Sequence, residues 1–241
     1  MRFIAKSIAV LLLTVCTSSH AEAVPDNPYA KTYVSHNKVM SKAEAGPTQI
    51  FIGNDKVGDY QRQLEKGYDL LGYSSFEAGA VVPDKLAEQA AAVNADVALV
   101  YTTAVGKAPA SVRLDVAKAE SAARKNGTQA KTTPDGNDML YSYFASYWTR
   151  LPPAVLGVHV QGTAETQAGE TGLTVLAVID GSPAAAALRK DDVLLRLGQS
   201  QLDKPEVLSR EALRYAGQTV EVVFERQGLV MSKPLTLGIH R

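Results

Sequence analysis

The sequence predicts an α+β fold class with two folded halves, on three observations. A chain of 241 residues is long enough for one or two domains. Within residues 68–103 a strand pattern, a helix pattern and a second strand pattern follow one another, which indicates a small α/β unit. After residue 151, short strand patterns alternate with two short helix patterns. With 46% hydrophobic and 21% charged residues, the composition is that of a globular chain.

The basic and acidic residues are balanced in number, which bears on whether the protein binds nucleic acids. The chain carries 25 Lys and Arg residues against 25 Asp and Glu residues, and neither half is polarised. Proteins that bind nucleic acids usually carry a basic patch. We therefore expect no nucleic-acid partner.

The first 23 residues have the order of a secretory signal peptide. Arg2 and Lys6 precede a short apolar run over residues 8–16, and the small residues Ala21 and Ala23 follow. The run is too short to span a bilayer, which needs about 20 apolar residues. We expect cleavage after Ala23, or after Ala21, and a mature protein that is periplasmic or otherwise extracytoplasmic.

Cys16 is the only cysteine of the chain. Cleavage after Ala23 would leave no cysteine for a disulfide, a nucleophile or a metal site. Alternatively, Cys16 is lipidated, because residues 13–16 are similar to a lipobox, although Val15 departs from that pattern. No later segment is long and apolar enough to cross a membrane, so we expect no transmembrane segment in the mature chain.

The N-terminal half divides into a leader, a domain and an insertion. Residues 24–47 are rich in Pro, Gly and polar residues, which predicts an extended leader. An α/β domain is predicted over residues 48–150. Residues 107–138 mix basic, acidic and small residues, which predicts a solvated or partly disordered polar insertion. The strand patterns of the domain fall at 49–52, 68–76, 96–103 and 139–150, and its helix pattern at 83–94.

Aromatic residues are concentrated in the last of these strands. Tyr141, Tyr143, Tyr147 and Trp148 lie among small and polar residues, as in a half-buried strand. They fit either a sheet surface packed on the neighbouring domain or a platform on which a carbohydrate or nucleobase stacks.

The C-terminal half predicts further strands and two helices. Ser182 and Pro183 fit the start of a helix over 184–190. Asp203 and Glu206 have the spacing of a capping box for a second helix that ends before Gly217. The strand patterns fall at 156–160, 173–179, 193–197, 219–225 and 229–237, the last two joined by a hairpin turn at Gln227-Gly228.

This half resembles a bacterial PDZ domain of the kind found in high-temperature-requirement serine proteases. The resemblance covers about 85 residues, and its specificity lies in the combined spacing of several motifs. It departs from the family at Asp191, where a glycine with positive φ is usual, although Asp tolerates that conformation. The matching motifs are Leu156-Gly157-Val158, residues 178–185 (VIDGSPAA), residues 188–195 (LRKDDVLL), residues 217–220 (GQTV) and residues 225–228 (ERQG).

The resemblance implies a fold for each half. Residues 151–241 would form a PDZ-like, partly open β-barrel or sandwich with two helices. The N-terminal half resembles an uncharacterised domain of bacterial secreted proteins that precedes a PDZ domain, which implies an architecture and no activity.

The resemblance also implies peptide capture. A PDZ domain adds an extended peptide to a sheet edge and holds its terminal carboxylate with backbone N–H groups, here those of Gly157 and Val158. We expect a bulky residue at Gly157 to abolish binding without unfolding the domain. Val207 and Leu213 are interpreted as core residues, and His159 as either a reader of the ligand or an exposed histidine without a role. The implied peptide-binding residues are Val155, Leu156, Gly157, Val158, His159, Val160, Leu208 and Ala212, the last two on a helix from Pro205.

No catalytic, metal-binding or cofactor-binding pattern stands out. Residues 24–150 are too few for the trypsin-like domain that precedes a protease PDZ domain, and its Gly-Asn-Ser-Gly-Gly motif is absent. His36, His159 and His240, the histidines after the signal peptide, are too scattered to indicate a triad or a metal site. We therefore expect a non-enzyme without cofactor.

The sequence thus predicts a secreted, non-catalytic protein that binds a peptide or a protein C-terminus in the cell envelope. One alternative is a hydrolase or carbohydrate-binding domain over 48–150, to which the PDZ domain recruits substrate. It predicts that Tyr68, Tyr73, Tyr101 and Tyr143 line a cleft with a titratable group. The other alternative is a scaffold whose groove is filled by residues 107–138 of the same chain.

Overall fold

A computed structural model describes residues 27–36, 46–107, 109–111, 139–166 and 169–239. The chain has a mixed α+β architecture with two sheets and few helices, so the predicted mixed class is confirmed. The signal peptide with Cys16, most of the polar insertion and His240 lie outside the described residues. In the part of the chain that is described, no helix combines the length and apolar character of a membrane span.

The helices are α1 Pro28–Lys31, α2 Lys56–Glu65, α3 Pro83–Ala92 and α4 Pro205–Arg214, with a 3₁₀ turn at Pro183–Ala186. The strands are β1 Tyr33–Ser35, β2 Gln49–Ile52, β3 Tyr68–Ala78, β4 Val97–Lys107, β5 Met139–Arg150, β6 Val158–Glu165, β7 Thr171–Val178, β8 Val193–Leu197, β9 Ser200–Gln201, β10 Thr219–Arg226 and β11 Leu229–Thr236.

The N-terminal sheet has the strand order β1-β3-β5-β4-β2. Strands β3 and β4 both pair antiparallel with β5, so they run in the same direction and α3 connects them. Strand β2 pairs parallel with β4 and forms one edge. The predicted strand-helix-strand unit is therefore present, with β5 inserted between its strands.

Aromatic side chains form much of the N-terminal core. Tyr147 and Trp148 are fully buried, but only Trp148 packs on the neighbouring half, in a cluster with Ala177, as expected; Tyr147 packs within the N-terminal half. The Tyr147 hydroxyl lies 3.2 Å from the Ser74 hydroxyl, which donates to the Tyr29 carbonyl at 2.7 Å. These contacts connect β5, β3 and α1.

The prediction of an extended leader over 24–47 is wrong for residues 28–31, which form α1. The Asn27 side chain accepts a hydrogen bond from the Tyr29 N–H and caps this helix. Tyr29 is buried, with its ring 4.8 Å from that of Phe76. A buried aromatic ring therefore fixes a segment whose composition resembles a linker.

The C-terminal sheet has the strand order β11-β10-β8-β7-β6, with β9 beside β8, and the described strands form no closed barrel. Gln227 and Gly228 have φ values of 52° and 79°, as a tight hairpin turn requires, so the predicted hairpin is confirmed. Asp191 has φ 68°, which confirms that this position needs a left-handed residue.

Both helices predicted for the C-terminal half have other end residues in the structure than the sequence predicted. The first is only the 3₁₀ turn Pro183–Ala186, and the Ser182 hydroxyl donates to the Gly157 carbonyl instead of capping it. The predicted capping box is wrong, because α4 is capped by Lys204 and has no side-chain cap hydrogen bond. Asp203 lies one residue too early for that role. The helix ends at Arg214, before Gly217 with its φ of 74°.

A buried ion pair connects the turn before β8 to the end of β10. Asp192 is 1% exposed and accepts two hydrogen bonds from the Arg226 guanidinium, at 2.7 and 2.8 Å. The same carboxylate accepts the Arg189 N–H at 2.7 Å, and Arg226 also donates to the Ala187 carbonyl. The pair therefore fixes the turn that precedes β8.

The two halves pack against each other through α2 and β7. The Gln61 side chain donates to the Leu176 carbonyl at 3.2 Å, and the Asp180 N–H donates to the Glu65 carbonyl at 2.8 Å. Ala177 is fully buried in a cluster with Trp148. These contacts hold the end of β7 beside the N-terminal half.

Candidate functional site

An open groove with a volume of about 380 Å³ lies between β6 and α4. It contains every predicted peptide-binding residue except Val160, which packs against the C-terminal core instead. Its lining consists of residues 151–159, Ile179, Leu208, Ser209, Ala212 and Leu213.

One side of the groove is an unpaired strand edge. Strand β6 is the last strand of its sheet, and no described strand pairs with its outer side. The Gly157 carbonyl accepts the Ile179 N–H at 2.9 Å, so this carbonyl faces β7. Because backbone groups alternate along an antiparallel strand, the N–H and C=O of Val158 point away from β7, toward the open edge.

The loop before β6 presents further backbone donors. The Leu156 side chain is buried in the core, and its carbonyl accepts the Ala184 N–H at 2.9 Å. Among the described residues, the N–H groups of Leu156 and Gly157 have no hydrogen-bond acceptor. Successive free N–H groups in a turn form a concavity that suits an anion.

Gly157 is required by packing as well as by backbone conformation. Its φ is 90°, and a Cβ added there would lie 2.2 Å from the Ser182 Cβ. The expectation that a bulky residue at Gly157 leaves the fold intact is therefore wrong, because that side chain would collide with the Ser182 turn.

Helix α4 forms the opposite wall. Leu208 and Ala212 are buried at its inner face, whereas Leu213 is 49% exposed and lines the groove. The interpretation of Leu213 as a core residue is wrong, while Val207 is partly buried against the core as expected. Leu213 lies four residues after Ser209, which also lines the groove, and this spacing was the signal that could have identified it.

His159 lies at the junction of the groove and the N-terminal half. The sequence left open an exposed histidine, but the side chain is half-buried and forms a hydrogen bond with the Leu64 backbone. Burial lowers its pKa, although this hydrogen bond and the negative charge of Asp69 oppose that effect. Its buried Nε2 has no hydrogen-bond partner among the described residues.

A second, smaller cavity of about 140 Å³ lies in the N-terminal half. Tyr73 and Tyr101 line it together with Lys56, whose ammonium group lies 4.6 Å from the Phe144 ring centre. Tyr143 is buried in another cluster, and Tyr68 lies beneath the Arg150 guanidinium. The structure thus brings together two of the four proposed tyrosines, and the alternative of a carbohydrate-binding or hydrolytic domain stays a prediction.

The Tyr101 hydroxyl beside this cavity donates to the Asp59 carboxylate at 2.9 Å. Burial, followed by that hydrogen bond, raises the pKa of Tyr101, so the hydroxyl remains protonated at neutral pH. Across the described part of the chain, no three His, Cys, Asp or Glu side chains are grouped so as to hold a metal ion.

Comparisons with known proteins give partial likenesses to solved structures only. No protein-family model and no curated protein matches the chain. The HtrA-type protease AlgW with decapeptide is 20% identical, with a TM-score of 0.33, over 47% of this chain and 41% of that chain. A variant of AlgW is 19% identical with decapeptide (TM-score 0.34; 47% and 40% covered) and 17% identical with tripeptide (TM-score 0.31; 46% and 43% covered). The match thus spans less than half the length of these proteases.

Proposed function

We propose that the C-terminal half is a PDZ-like module that binds an extended peptide in the groove between β6 and α4. The observation that carries the proposal is an unpaired strand edge beside an apolar wall. An edge strand supplies main-chain hydrogen bonds to an added strand, and a neighbouring pocket selects its side chains. Leu208, Ala212 and Leu213 supply that pocket here.

The preferred ligand in this proposal ends in a free carboxylate after an apolar residue. The open N–H groups of Leu156 and Gly157 lie at the start of β6, where the end of an antiparallel peptide would fall. A carboxylate accepts such N–H groups more strongly than a neutral amide does. The Val158 N–H and C=O would begin the pairing with the peptide backbone.

The proposal also covers the cellular location of the protein and its partner. The predicted signal peptide favours an extracytoplasmic protein, with a peptide or a protein C-terminus of the cell envelope as partner. Lipidation of Cys16 would tether it to a membrane. The role is binding without catalysis, supported by the lack of a nucleophile motif in the sequence.

A selection from a random library of peptides with free C-termini tests the proposal. We expect enrichment of apolar terminal residues and dissociation constants on the order of micromolar, as for a short added strand. Amidation of the peptide terminus should weaken binding. Methylation of single backbone nitrogens in the peptide should weaken binding at alternate positions, because only every second N–H faces β6.

The matched variants are Leu213→Glu and Leu229→Glu. Both leucines are exposed, but only Leu213 lines the groove. Leu213→Glu should abolish binding by placing a charge in the apolar pocket, whereas Leu229→Glu should retain wild-type affinity. A library without enrichment, or equal binding by both variants, would show that the groove is not the binding site.

A further inference from the structure

A group of exposed apolar side chains lies far from the groove in sequence, at β2 and the start of α2. Ile52 is 89% exposed and Val57 is 82% exposed, and Ile50 and Phe51 are also exposed. Isolated exposed apolar residues are common at protein surfaces, but a run of them on an edge strand is unusual, because it invites pairing with another strand.

The backbone of β2 has a free side. The N–H groups of Gln49 and Gly53 donate to carbonyls of Asp96 and Val100 in the direction of β4, each at 2.9 Å. In the parallel register of β2 and β4, residues 49, 51 and 53 therefore face β4. Ile50 and Ile52 direct their N–H and C=O groups outward, where no described strand pairs with them.

We propose that this edge pairs with the β2 edge of a second copy of the chain, antiparallel and about a two-fold axis at Phe51. In this register Ile50 faces the second copy's Ile52, and each of them offers an outward N–H and an outward C=O. These positions form hydrogen-bonded pairs, while the two Phe51 residues form the closer, non-hydrogen-bonded pair between them. The edge is thus complementary to itself.

The charge pattern favours a second copy over a charged partner. Residues 46–54 contain no Lys, Arg, Asp or Glu, so no like charges face each other in this register. Strand β2 itself, Gln49–Ile52, also lacks the lysine or proline with which edge strands usually prevent such pairing. In the same register Asp55 faces the uncharged Pro47 of the second copy.

The proposed dimer is weak and independent of the peptide groove. A contact of four residues from each strand is smaller than a standard protein interface, so we expect a dissociation constant on the order of 100 µM. The pairing would join the two N-terminal sheets into one continuous sheet.

Cysteine cross-linking tests the register. In the full chain with Cys16→Ser, Phe51→Cys would introduce the only cysteine. The two Cα atoms of a non-hydrogen-bonded pair lie about 4.5 Å apart, within the range of a disulfide. We expect rapid disulfide dimerisation of Phe51→Cys and little of Ile52→Cys, whose two sulfur atoms would be offset along the strands. The exposed Leu229→Cys should behave like Ile52→Cys.

Sedimentation analysis of the uncrosslinked chain up to about 500 µM tests the hydrogen bonds, at a concentration set by the expected affinity. Ile50→Pro removes an outward N–H without touching the ladder to β4, so it should weaken the dimer at least about tenfold. Leu229→Pro is not a suitable control for this variant, because Leu229 lies in β11, which pairs with β10. The control is a second pair of variants, Ile52→Lys and Leu229→Lys, which place the same charge at two exposed positions. A monomer at all concentrations, equal cross-linking at residues 51 and 229, or a dimer unaffected by Ile50→Pro would overturn the proposal.

Discussion

The groove and the aromatic cavity described above differ in what surrounds them. The N-terminal cavity is lined by side chains of α2 and of β3, β4 and β5, the three central strands of a sheet, whose backbones are paired on both sides. The C-terminal groove borders β6, the last strand of its sheet. An aromatic wall offers contact area, whereas a strand edge offers an ordered row of donors and acceptors.

This difference is what leads us to propose the groove, and not the aromatic cavity, as the peptide site. A cavity of about 140 Å³ has the size that holds a single benzene-like ring. The groove is larger and open along a strand, so that one peptide residue after another can pair with it. The halves also differ in how they are stabilised, by aromatic packing in one and by an aliphatic core with a buried ion pair in the other.

The largest expected effect on the free energy of unfolding comes from the buried ion pair between Asp192 and Arg226 in the C-terminal half. Arg226→Ala would leave the Asp192 carboxylate buried without its partner, which costs about 3–5 kcal/mol in the free energy of unfolding. Arg210→Ala is the control, because Arg210 is exposed on α4 and its contact with Glu211 should contribute less than about 1 kcal/mol. Urea denaturation measures both. A loss below about 1 kcal/mol for Arg226→Ala would contradict a stabilising role of the pair.

A smaller effect is expected in the aromatic half. Tyr147→Phe removes a buried hydroxyl that contacts Ser74, so the free energy of unfolding should fall by about 1 kcal/mol. Tyr73→Phe is the matched control, because the Tyr73 hydroxyl has no hydrogen bond among the described residues and its ring stacks on Phe144 in either form. Equal unfolding midpoints for the two variants would show that the Tyr147 hydroxyl contributes nothing.

The groove was largely predictable from the sequence, because its position depends on local spacing. The motif around Gly157 and the helix from Pro205 placed all but one of the predicted residues around one cavity. Val160 alone does not line the cavity; β6 is irregular between His159 and Val160, where its register with β7 shifts, and a strict alternation of strand faces does not anticipate such a shift.

What could not be predicted depends on contacts between distant segments. Tyr29 is buried because β3 and β5 bring Phe76 and Tyr143 to it, which the composition of the leader does not reveal. One reason for the glycine at position 157 likewise lies in a distant segment. It is the proximity of Ser182, 25 residues later in the chain.

The smallest expected effect concerns His159, where the two halves meet. Because burial lowers its pKa in the folded protein, the unfolded chain binds more protons below about pH 6.5. The free energy of unfolding should therefore fall as the pH is lowered through 6.5 toward the lowered pKa, and this contribution should disappear about one pH unit above 6.5. The nearby charge of Asp69 limits the effect by favouring the protonated ring.

The variant His159→Gln isolates this contribution, because the other titrating groups are shared with the wild type and cancel in the difference. Thermal or urea unfolding between pH 5 and pH 8 should give two curves that converge in slope above pH 6.5 and separate below it, with the wild type losing more stability. Parallel curves would mean that His159 is not desolvated at the junction. The start of β6, and with it one end of the groove, would then be held less closely by the N-terminal half.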